Sequence, residues 1–222
     1  MSSVKPNTAR SFSRIRTTQT IVFPTQTLYV LPWIFIHCMS KQLPSIDADL
    51  ATWIAAQKIF FVGTAPLSAD LHLNISPKGG DSFRILGPME VVYQDYTGSG
   101  AETAAHVQEN GRIIIMFCAF DGPPQIVRLH GRGTIINETH PRFEEFSKMF
   151  PPNPGTRAFV HVRVTRISSS CGYSVPFFDF KSQRDVLDKW ANKQGPDKIR
   201  DYRARKNQQS IDGLPAFPTT GK

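Results

Sequence analysis

The feature that most constrains this chain is a succession of short apolar segments between residues 58 and 137, separated by turns rich in glycine, proline and aspartate. Two of these turns are GGD at residues 79–81 and DGPP at residues 121–124. Short apolar segments bounded by such turns are typical of antiparallel strands. Alternating strand and helix units, which a doubly wound sheet requires, are missing from the pattern. The sequence therefore predicts a small closed or split barrel.

Alternation of apolar and polar residues gives the extent of the strands. In the second expected strand, Leu71, Leu73 and Ile75 share one face, and the GGD turn would join that strand to the next as a hairpin. The segment at residues 112–120 is almost fully apolar, which suits a barrel interior or a dimer interface. The expected strands cover residues 58–65, 71–75, 82–86, 89–95, 112–120, 125–137 and 157–168.

Helix signals flank and interrupt these strands. Ser99 and Glu102 have the spacing of a capping box, in which the two side chains satisfy the first N–H groups of a helix. That helix would cover residues 99–110 and end at Gly111. Three further helices are expected: at residues 47–57 with Asp47 or Ser45 as cap, at residues 140–150, and from residues 182–185 onward with Val186, Leu187 and Trp190 buried.

The positive charge of the chain lies mainly outside the expected barrel. Residues 1–38 contain four basic residues and no acid, and residues 181–222 contain ten basic and five acidic residues. The segment between them is nearly neutral, with 12 basic and 13 acidic residues. A nucleic-acid-binding domain carries its basic excess on the folded body, so no specific nucleic-acid partner is expected. Beyond residue 195 the polar composition is typical of a solvated or disordered arm.

Three cysteines, Cys38, Cys118 and Cys171, are far apart and form no CxxC motif. This spacing argues against a disulfide framework or a zinc site and favours reduced intracellular thiols. Cys118 lies in an apolar strand and is expected to be a small core residue. No metal site is predicted.

We divide the chain into an extension at residues 1–38, a barrel domain at residues 39–180 and a helical, basic tail at residues 181–222. The extension is rich in Ser, Thr and Arg and free of acid, which partly fits a mitochondrial transit peptide. It is also compatible with a true start at Met39, the preceding residues then being a gene-model artefact or an alternative first exon. Prolines interrupt its apolar part, so a transmembrane helix is not expected. The expected location is the cytoplasm, or the mitochondrion if the extension targets it.

Three motifs in this order resemble the pyridoxamine 5′-phosphate oxidase-like family of FMN-binding split barrels. They are SPKG at residues 76–79, YQDYTGSGAET at residues 93–103, and MFCAFDGPPQIVRLHGR at residues 116–132. The resemblance extends over residues 45–170 and points to an uncharacterised branch of the family. It implies a mainly β fold, a six-stranded antiparallel Greek-key split barrel with peripheral helices. It also implies a homodimer with FMN in the cleft between its subunits and a small-molecule substrate.

In the family, basic and hydroxyl groups on two barrel strands and at the following helix start bind the flavin phosphate. On this chain the resemblance assigns Lys78 to the phosphate as a point charge. Helix N-termini bind anions, so the turn at residues 97–100, which leads into the helix expected at residues 99–110, is a second candidate for the phosphate. Arg128 lies on the polar face of the strand expected at residues 125–137, where it would contact a ligand or the dimer interface. The candidate cofactor-binding residues are Asn74, Ser76, Lys78, Thr97, Ser99, Thr103, His106 and Arg128.

The sequence departs from the oxidase proper at the positions of its other phosphate-binding residues. Leu73 stands where the oxidase has an arginine, and Glu102-Thr103 stands where it has an Arg-Lys pair. A carboxylate at a helix start repels a phosphate unless it is used in its own cap. These departures argue against oxidation of pyridoxamine phosphate.

The predicted function is an FMN-dependent oxidoreductase acting on an unidentified small substrate. Flavin chemistry belongs to the cofactor, so no catalytic side chain is assigned. The alternatives are a non-enzymatic dimeric module that binds flavin or haem, and an enzyme that uses a deazaflavin on the same barrel.

Overall fold

Antiparallel strands form most of the structure, a computed structural model that describes residues 41–217. The strands are β1 Lys41–Leu43, β2 Ile59–Thr64, β3 Asn74–Gly79, β4 Phe83–Gly87, β5 Glu90–Tyr96, β6 Arg112–Cys118, β7 Ile126–Asn137 and β8 Thr156–Ser170. The helices are α1 Ala48–Ala56, α2 Glu102–Asn110, α3 Phe143–Ser147 and α4 Val186–Lys206. Each expected strand is found, although the second begins later in the chain than expected.

All eight strands belong to one antiparallel sheet with the order β3-β2-β6-β7-β8-β5-β4, and β1 pairs with the far end of β8. The consecutive strands β3 and β4 therefore lie at opposite ends of the sheet. Residues 80–82 join them, and so short a link spans at most about 3.6 Å per residue. The sheet must consequently curl until its two ends approach each other. This curled open sheet confirms the predicted split-barrel fold, with eight strands in the described residues.

Apolar side chains from the concave face fill the barrel. Val62, Ile115 and Leu129 are fully buried there, with α1 packed against the same core through Leu50 and Ile54. The long strand β7 changes register at His130 and Gly131 against β8. A side chain at Gly131 would place its Cβ 2.5 Å from the Arg163 carbonyl oxygen. Only glycine allows the two strands to approach so closely.

The expected hairpin between β3 and β4 is wrong. The two strands do not pair with each other, because β3 pairs with β2 and β4 pairs with β5. The expected strand at residues 71–75 actually begins at Asn74, and Leu73 and Ile75 are 76% and 75% exposed. The reason is that β3 is an edge strand whose inward face carries polar side chains. Pro77 is tolerated there because an edge strand need not donate every backbone hydrogen bond.

Two helix starts differ in how well the sequence predicted them. Asp47 caps α1 as expected, and its carboxylate accepts a hydrogen bond of 2.9 Å from the Leu50 N–H. The Ser99 and Glu102 capping box is wrong: α2 begins at Glu102, its N-cap residue is Ala101, and no side chain caps it. The other end of α2 is as predicted, since Gly111 takes the left-handed conformation with φ 70°.

The helix expected at residues 140–150 is shortened to the five residues of α3. Its aromatic face is nevertheless confirmed, because Phe143, Phe146 and Phe150 pack around the buried ring of Phe159. Cys118 is buried, as expected of a core thiol, and Cys38 lies outside the described residues.

The tail is folded onto the barrel, contrary to the expectation of a solvated arm. Gly195 and Pro196 interrupt α4, whose buried residues are Ala191 and Ile199. The predicted buried face is wrong for Val186 and Leu187, which are 67% and 36% exposed, whereas Trp190 is half-buried and packs against Tyr202. Among the helices of the described residues, none is long and apolar enough to cross a membrane.

Candidate functional site

The inward face of β3 is polar. Asn74, Ser76 and Lys78 alternate along the strand, and the strand register pairs Asn74 with Thr64 and Lys78 with Phe60. Thr64 and Phe60 are buried, and residues directly opposite each other in a sheet share a face. The three polar side chains of β3 therefore face the barrel interior beside an otherwise apolar strand.

Hydrogen bonds join these side chains to α2. The Asn74 side-chain amide donates to the hydroxyls of Thr103 at 3.0 Å and Thr64 at 3.3 Å. The Ser76 hydroxyl donates to the side-chain oxygen Oδ1 of Asn74 at 3.2 Å, and the Thr64 hydroxyl lies 3.0 Å from His106 Nδ1. We call these five residues the polar cluster. It brings together four predicted site residues, Asn74, Ser76, Thr103 and His106.

His106 is the most deeply placed member of the polar cluster. It is fully buried, and its Nε2 has no hydrogen-bond partner among the described residues. Burial lowers the pKa of His106 below its ordinary value, and the more distant carboxylates of Glu109, Asp212 and Glu102 do not offset this effect. The ring is therefore neutral at pH 7 and has one ring nitrogen without a partner. Buried polar atoms in folded proteins usually have partners, so this nitrogen is the atom of the polar cluster that remains open to a hydrogen bond with a ligand or a water.

Lys78 reaches a buried carboxylate rather than open solvent. Its Nζ lies 2.8 Å from Asp95 Oδ1, and the other Asp95 oxygen accepts two bonds from Arg157, at 2.7 and 3.0 Å. Burial alone would raise the pKa of Asp95, but the charges and hydrogen bonds of Lys78 and Arg157 lower it to about 2. We call these three residues the Asp95 ion cluster. Two cations share one carboxylate, so the cluster retains one positive charge.

The turn before α2 is held by residues distant in sequence. The Thr97 hydroxyl donates to the Gly155 carbonyl at 2.9 Å and accepts a bond of 2.9 Å from Arg203. Arg157 donates to the Gly100 carbonyl. The Thr97 hydroxyl therefore both donates and accepts a hydrogen bond within the protein, whereas Ser99 is exposed and does not cap α2. Neither residue joins the polar cluster.

Residues 207–217, which we call the C-terminal clasp, cover the outer side of this turn and of α2. Asn207 is fully buried and its side-chain amide donates to the Gly98 carbonyl at 2.8 Å. The Ile211 N–H donates to the Glu102 carboxylate at 3.2 Å. Ala216 packs against the alanines of α2, which are Ala101, Ala104 and Ala105. The clasp thus fixes the start of α2 from the side opposite the polar cluster.

Arg128 lies apart from the other predicted residues. Its register partner Met116 is in turn opposite Phe61, so all three side chains occupy the outer face of the sheet. The guanidinium donates to the Ser170 hydroxyl at 3.0 Å. The described residues hold no group of three His, Cys, Asp or Glu side chains that could bind a metal.

Sequence reasoning missed Asp95, Arg157 and Arg203. Asp95 had a recognisable signal, because an aspartate within the apolar strand β5 requires a partner if it is buried. Arg157 and Arg203 had no local signal, since they lie 62 residues from Asp95 and 106 from Thr97 respectively.

Comparison with known proteins places this arrangement in a family. The family model described as pyridoxamine 5′-phosphate oxidase matches residues 46–171. The pyridoxamine 5′-phosphate oxidase family protein ustO of Aspergillus flavus is 36% identical in an alignment of 190 residues, and the match covers 78% of this chain and 76% of that protein.

Two solved structures also match part of the chain. HupZ of Group A Streptococcus is 23% identical in sequence. The match covers 55% of this chain and 91% of the HupZ chain, with a TM-score of 0.44. An FMN-binding protein of Syntrophomonas wolfei is 15% identical in sequence. The match covers 54% of this chain and 82% of that protein, with a TM-score of 0.40. The family match over more than half of the sequence, together with the 36% identical relative, shows that this chain belongs to the pyridoxamine 5′-phosphate oxidase family.

Proposed function

We propose that this protein binds FMN through the polar cluster and Lys78, and that it acts as an oxidoreductase on a small substrate. The observation that carries the proposal is the polar cluster itself, in which the Nε2 of buried His106 has no hydrogen-bond partner within residues 41–217. Membership in a family named for an oxidase supports the flavin as the ligand class.

The residues present fit the polar part of FMN. Lys78 is 21% exposed, and the Asp95 ion cluster to which it belongs has a net positive charge that suits a phosphate. Ser76, Asn74 and Thr103 supply hydroxyl and amide groups for the phosphate or the ribityl chain. The site thus offers one cation and several neutral donors, rather than a cluster of arginines.

Bound FMN would supply two-electron redox chemistry. The chain's own residues would bind and orient it, with Lys78 holding the phosphate and the barrel wall excluding water. Glu102 stands at the start of α2, where a carboxylate disfavours a second anionic group. For that reason we do not expect pyridoxamine phosphate to be the substrate.

A second copy of the chain is the proposed partner. Leu73 directly precedes the edge strand β3 and Ile75 lies on its outer side, and the two are 76% and 75% exposed. Exposed apolar side chains on an edge strand favour association. We expect sedimentation analysis of the full chain to give a dimer that Ile75→Lys converts to monomer, and an unchanged mass would remove this face from the interface.

Ligand identification from the purified full chain tests the proposal. We expect a flavin absorption spectrum and, by mass spectrometry of the released ligand, FMN rather than a deazaflavin or haem. Reduction of the bound flavin by NAD(P)H with repeated turnover would support an oxidoreductase. Bound FMN without turnover would instead favour the non-enzymatic module. A colourless protein that gains no absorbance from added FMN would contradict the proposal.

Lys78→Ala should weaken FMN binding by about 10–100-fold, because a hydrogen bond to a charged group contributes about 1.5–3 kcal/mol. Fluorescence quenching of FMN on titration with protein measures the affinity. Lys148→Ala removes an exposed lysine from the end of α3 and serves as the matched control. If both variants bind FMN equally well, Lys78 does not contact the phosphate.

Glu102→Gln should strengthen FMN binding by about 2–5-fold, since a charge near a helix terminus contributes about 0.3–1 kcal/mol. The amide keeps an oxygen that can accept the Ile211 N–H bond, so the clasp contact is preserved. Glu109→Gln, at the other end of α2, controls for the change in net charge. Weaker binding in Glu102→Gln would show that the carboxylate holds the flavin instead of repelling it.

A further inference from the structure

A cavity of about 350 Å³ opens where the two ends of the curled sheet approach each other. It lies between the end of α1, the start of β2, the link between β3 and β4, and β4 itself. Its walls include Ala55, Lys58, Phe60, Phe83, Arg84 and Phe117. We call it the barrel-mouth cavity. Its volume is within the range of about 300–1,000 Å³ that small-molecule sites occupy.

The barrel-mouth cavity is separate from the polar cluster. Phe60, which lines the cavity, is four residues from Thr64 along β2, a distance of about 13 Å at 3.3 Å per residue. None of the polar-cluster residues lines it. Lys78, which belongs to the proposed flavin site, does not line the cavity either, but it is the register partner of Phe60 and directly precedes Gly79 in the cavity wall. The two sites are therefore neighbours. The inference below concerns a different ligand, and its probes are tested without added FMN.

Aromatic rings form the floor of the barrel-mouth cavity. The centroid distances are 5.2 Å for Phe60–Phe83, 5.7 Å for Phe60–Phe117 and 5.2 Å for Phe83–Phe117. Phe60 and Phe117 are 4% and 2% exposed, which fixes their rings in the core. Aromatic rings favour edge-to-face and offset contacts with a further ring. Because Phe60 and Phe117 are almost fully covered by protein, a flat aromatic group in the cavity would contact the floor mainly through the half-buried ring of Phe83.

The rim of the cavity presents one cation that lacks a counter-ion. Arg84 is neutralised by Asp81, with a bond of 2.8 Å, and it also stacks on Phe150 at 4.7 Å. Lys58 is exposed and forms no ion pair within residues 41–217. Its ammonium rests 5.8 Å from the ring centroid of Phe180. The rim thus carries a single available positive charge.

An extended segment at residues 177–183 runs beside this rim. The Phe178 N–H donates to the Phe120 carbonyl at 3.0 Å, and the Gln183 side-chain amide donates to the Lys58 carbonyl at 3.0 Å. Phe177 and Phe180 remain 78% and 51% exposed. The segment holds the Lys58 backbone in place at the edge of the cavity.

We propose that the barrel-mouth cavity binds a small aromatic carboxylate, with its ring on the Phe60, Phe83 and Phe117 floor and its carboxylate paired with Lys58. A phosphate dianion would meet only one unpaired cation. A neutral hydrocarbon would leave the Lys58 charge unused.

Titration of the full chain with 3-phenylpropionate, followed by ligand-observed NMR, tests this site. Ala55→Trp fills the cavity from its wall, and Ala56→Trp adds the same bulk at a neighbouring exposed position that does not line it. We expect Ala55→Trp to weaken binding at least about tenfold, while Ala56→Trp leaves it unchanged. No saturable binding to the wild-type chain, or equal binding to both variants, would overturn the proposal.

The role of Lys58 has its own control, the uncharged probe 3-phenylpropionamide. Lys58→Gln should weaken binding of the carboxylate by up to about fivefold, as expected for an exposed ion pair, and leave the amide unaffected. Equal changes for the two probes would show that Lys58 does not pair with the carboxylate. Circular dichroism melting of each variant confirms that the barrel is folded.

Discussion

Asp95→Ala is expected to lower the free energy of unfolding by about 3–5 kcal/mol, the usual effect of breaking a buried ion pair from one side. The aspartate is 3% exposed and accepts bonds from Lys78 and Arg157. Its removal leaves the guanidinium of Arg157, which is 7% exposed, without a counter-ion. Chemical denaturation followed by circular dichroism measures the difference.

A second variant separates charge from volume at position 95, and an exposed aspartate elsewhere provides the control. Asp95→Asn keeps the shape of the side chain and loses its charge. It should therefore retain the packing but still lose most of the about 3–5 kcal/mol expected for Asp95→Ala. Asp70→Ala removes an exposed aspartate and should change stability by less than about 0.5 kcal/mol. If Asp95→Asn were as stable as the wild-type chain, the ion cluster would contribute nothing to folding.

The pH dependence of unfolding provides a second readout for Asp95. Its pKa is about 2 in the folded chain against an ordinary value of 3.8, so ionisation favours the folded state. The stabilisation is complete above the ordinary pKa and is lost as the pH falls through the folded pKa. At 1.36 kcal/mol per unit, this corresponds to about 2 kcal/mol between pH 4 and pH 2. Asp95→Asn should lack this part of the acid sensitivity.

The sequence predicted those features that depend on neighbouring residues. The Asp47 cap depends on the N–H of Leu50, only three residues further along the chain. The end of α2 depends on the backbone conformation of Gly111 itself. The strands were predicted for the same reason, because apolar and polar residues alternate along a strand that is buried on one face. The capping box failed although its spacing was correct, since the Glu102 carboxylate accepts a bond from Ile211, 109 residues away.

The candidate site was predictable in its residue types but not in its connections. Asn74, Ser76, Thr103 and His106 were identified and do meet, because β3 faces α2 across the barrel wall. The ion pair of Lys78 with Asp95 could not be predicted, since β3 and β5 are not neighbours in the sheet. Distant strands meet inside a curled sheet, and periodicity carries no information about such contacts.

Ala216→Asp is expected to release the C-terminal clasp while the barrel remains folded. Ala216 is fully buried against the α2 alanines, so an aspartate there would be an unpaired charge in an apolar contact. The penalty exceeds about 2 kcal/mol, and amide exchange in the clasp should accelerate by at least about 30-fold. The amides to follow are those of Ser210, Ala216 and Phe217, which donate within the clasp.

Gln209→Asp is the matched control, because it introduces the same residue at an exposed position of the same segment. It should leave exchange at those three amides unchanged. Release of the clasp also removes the Asn207 bond to Gly98 and the contact of Phe217 with the Arg157 guanidinium, 4.7 Å from the ring centroid. The turn before α2 should then exchange faster as well. Faster exchange in the clasp alone would show that Thr97 and Arg157 hold the turn without it.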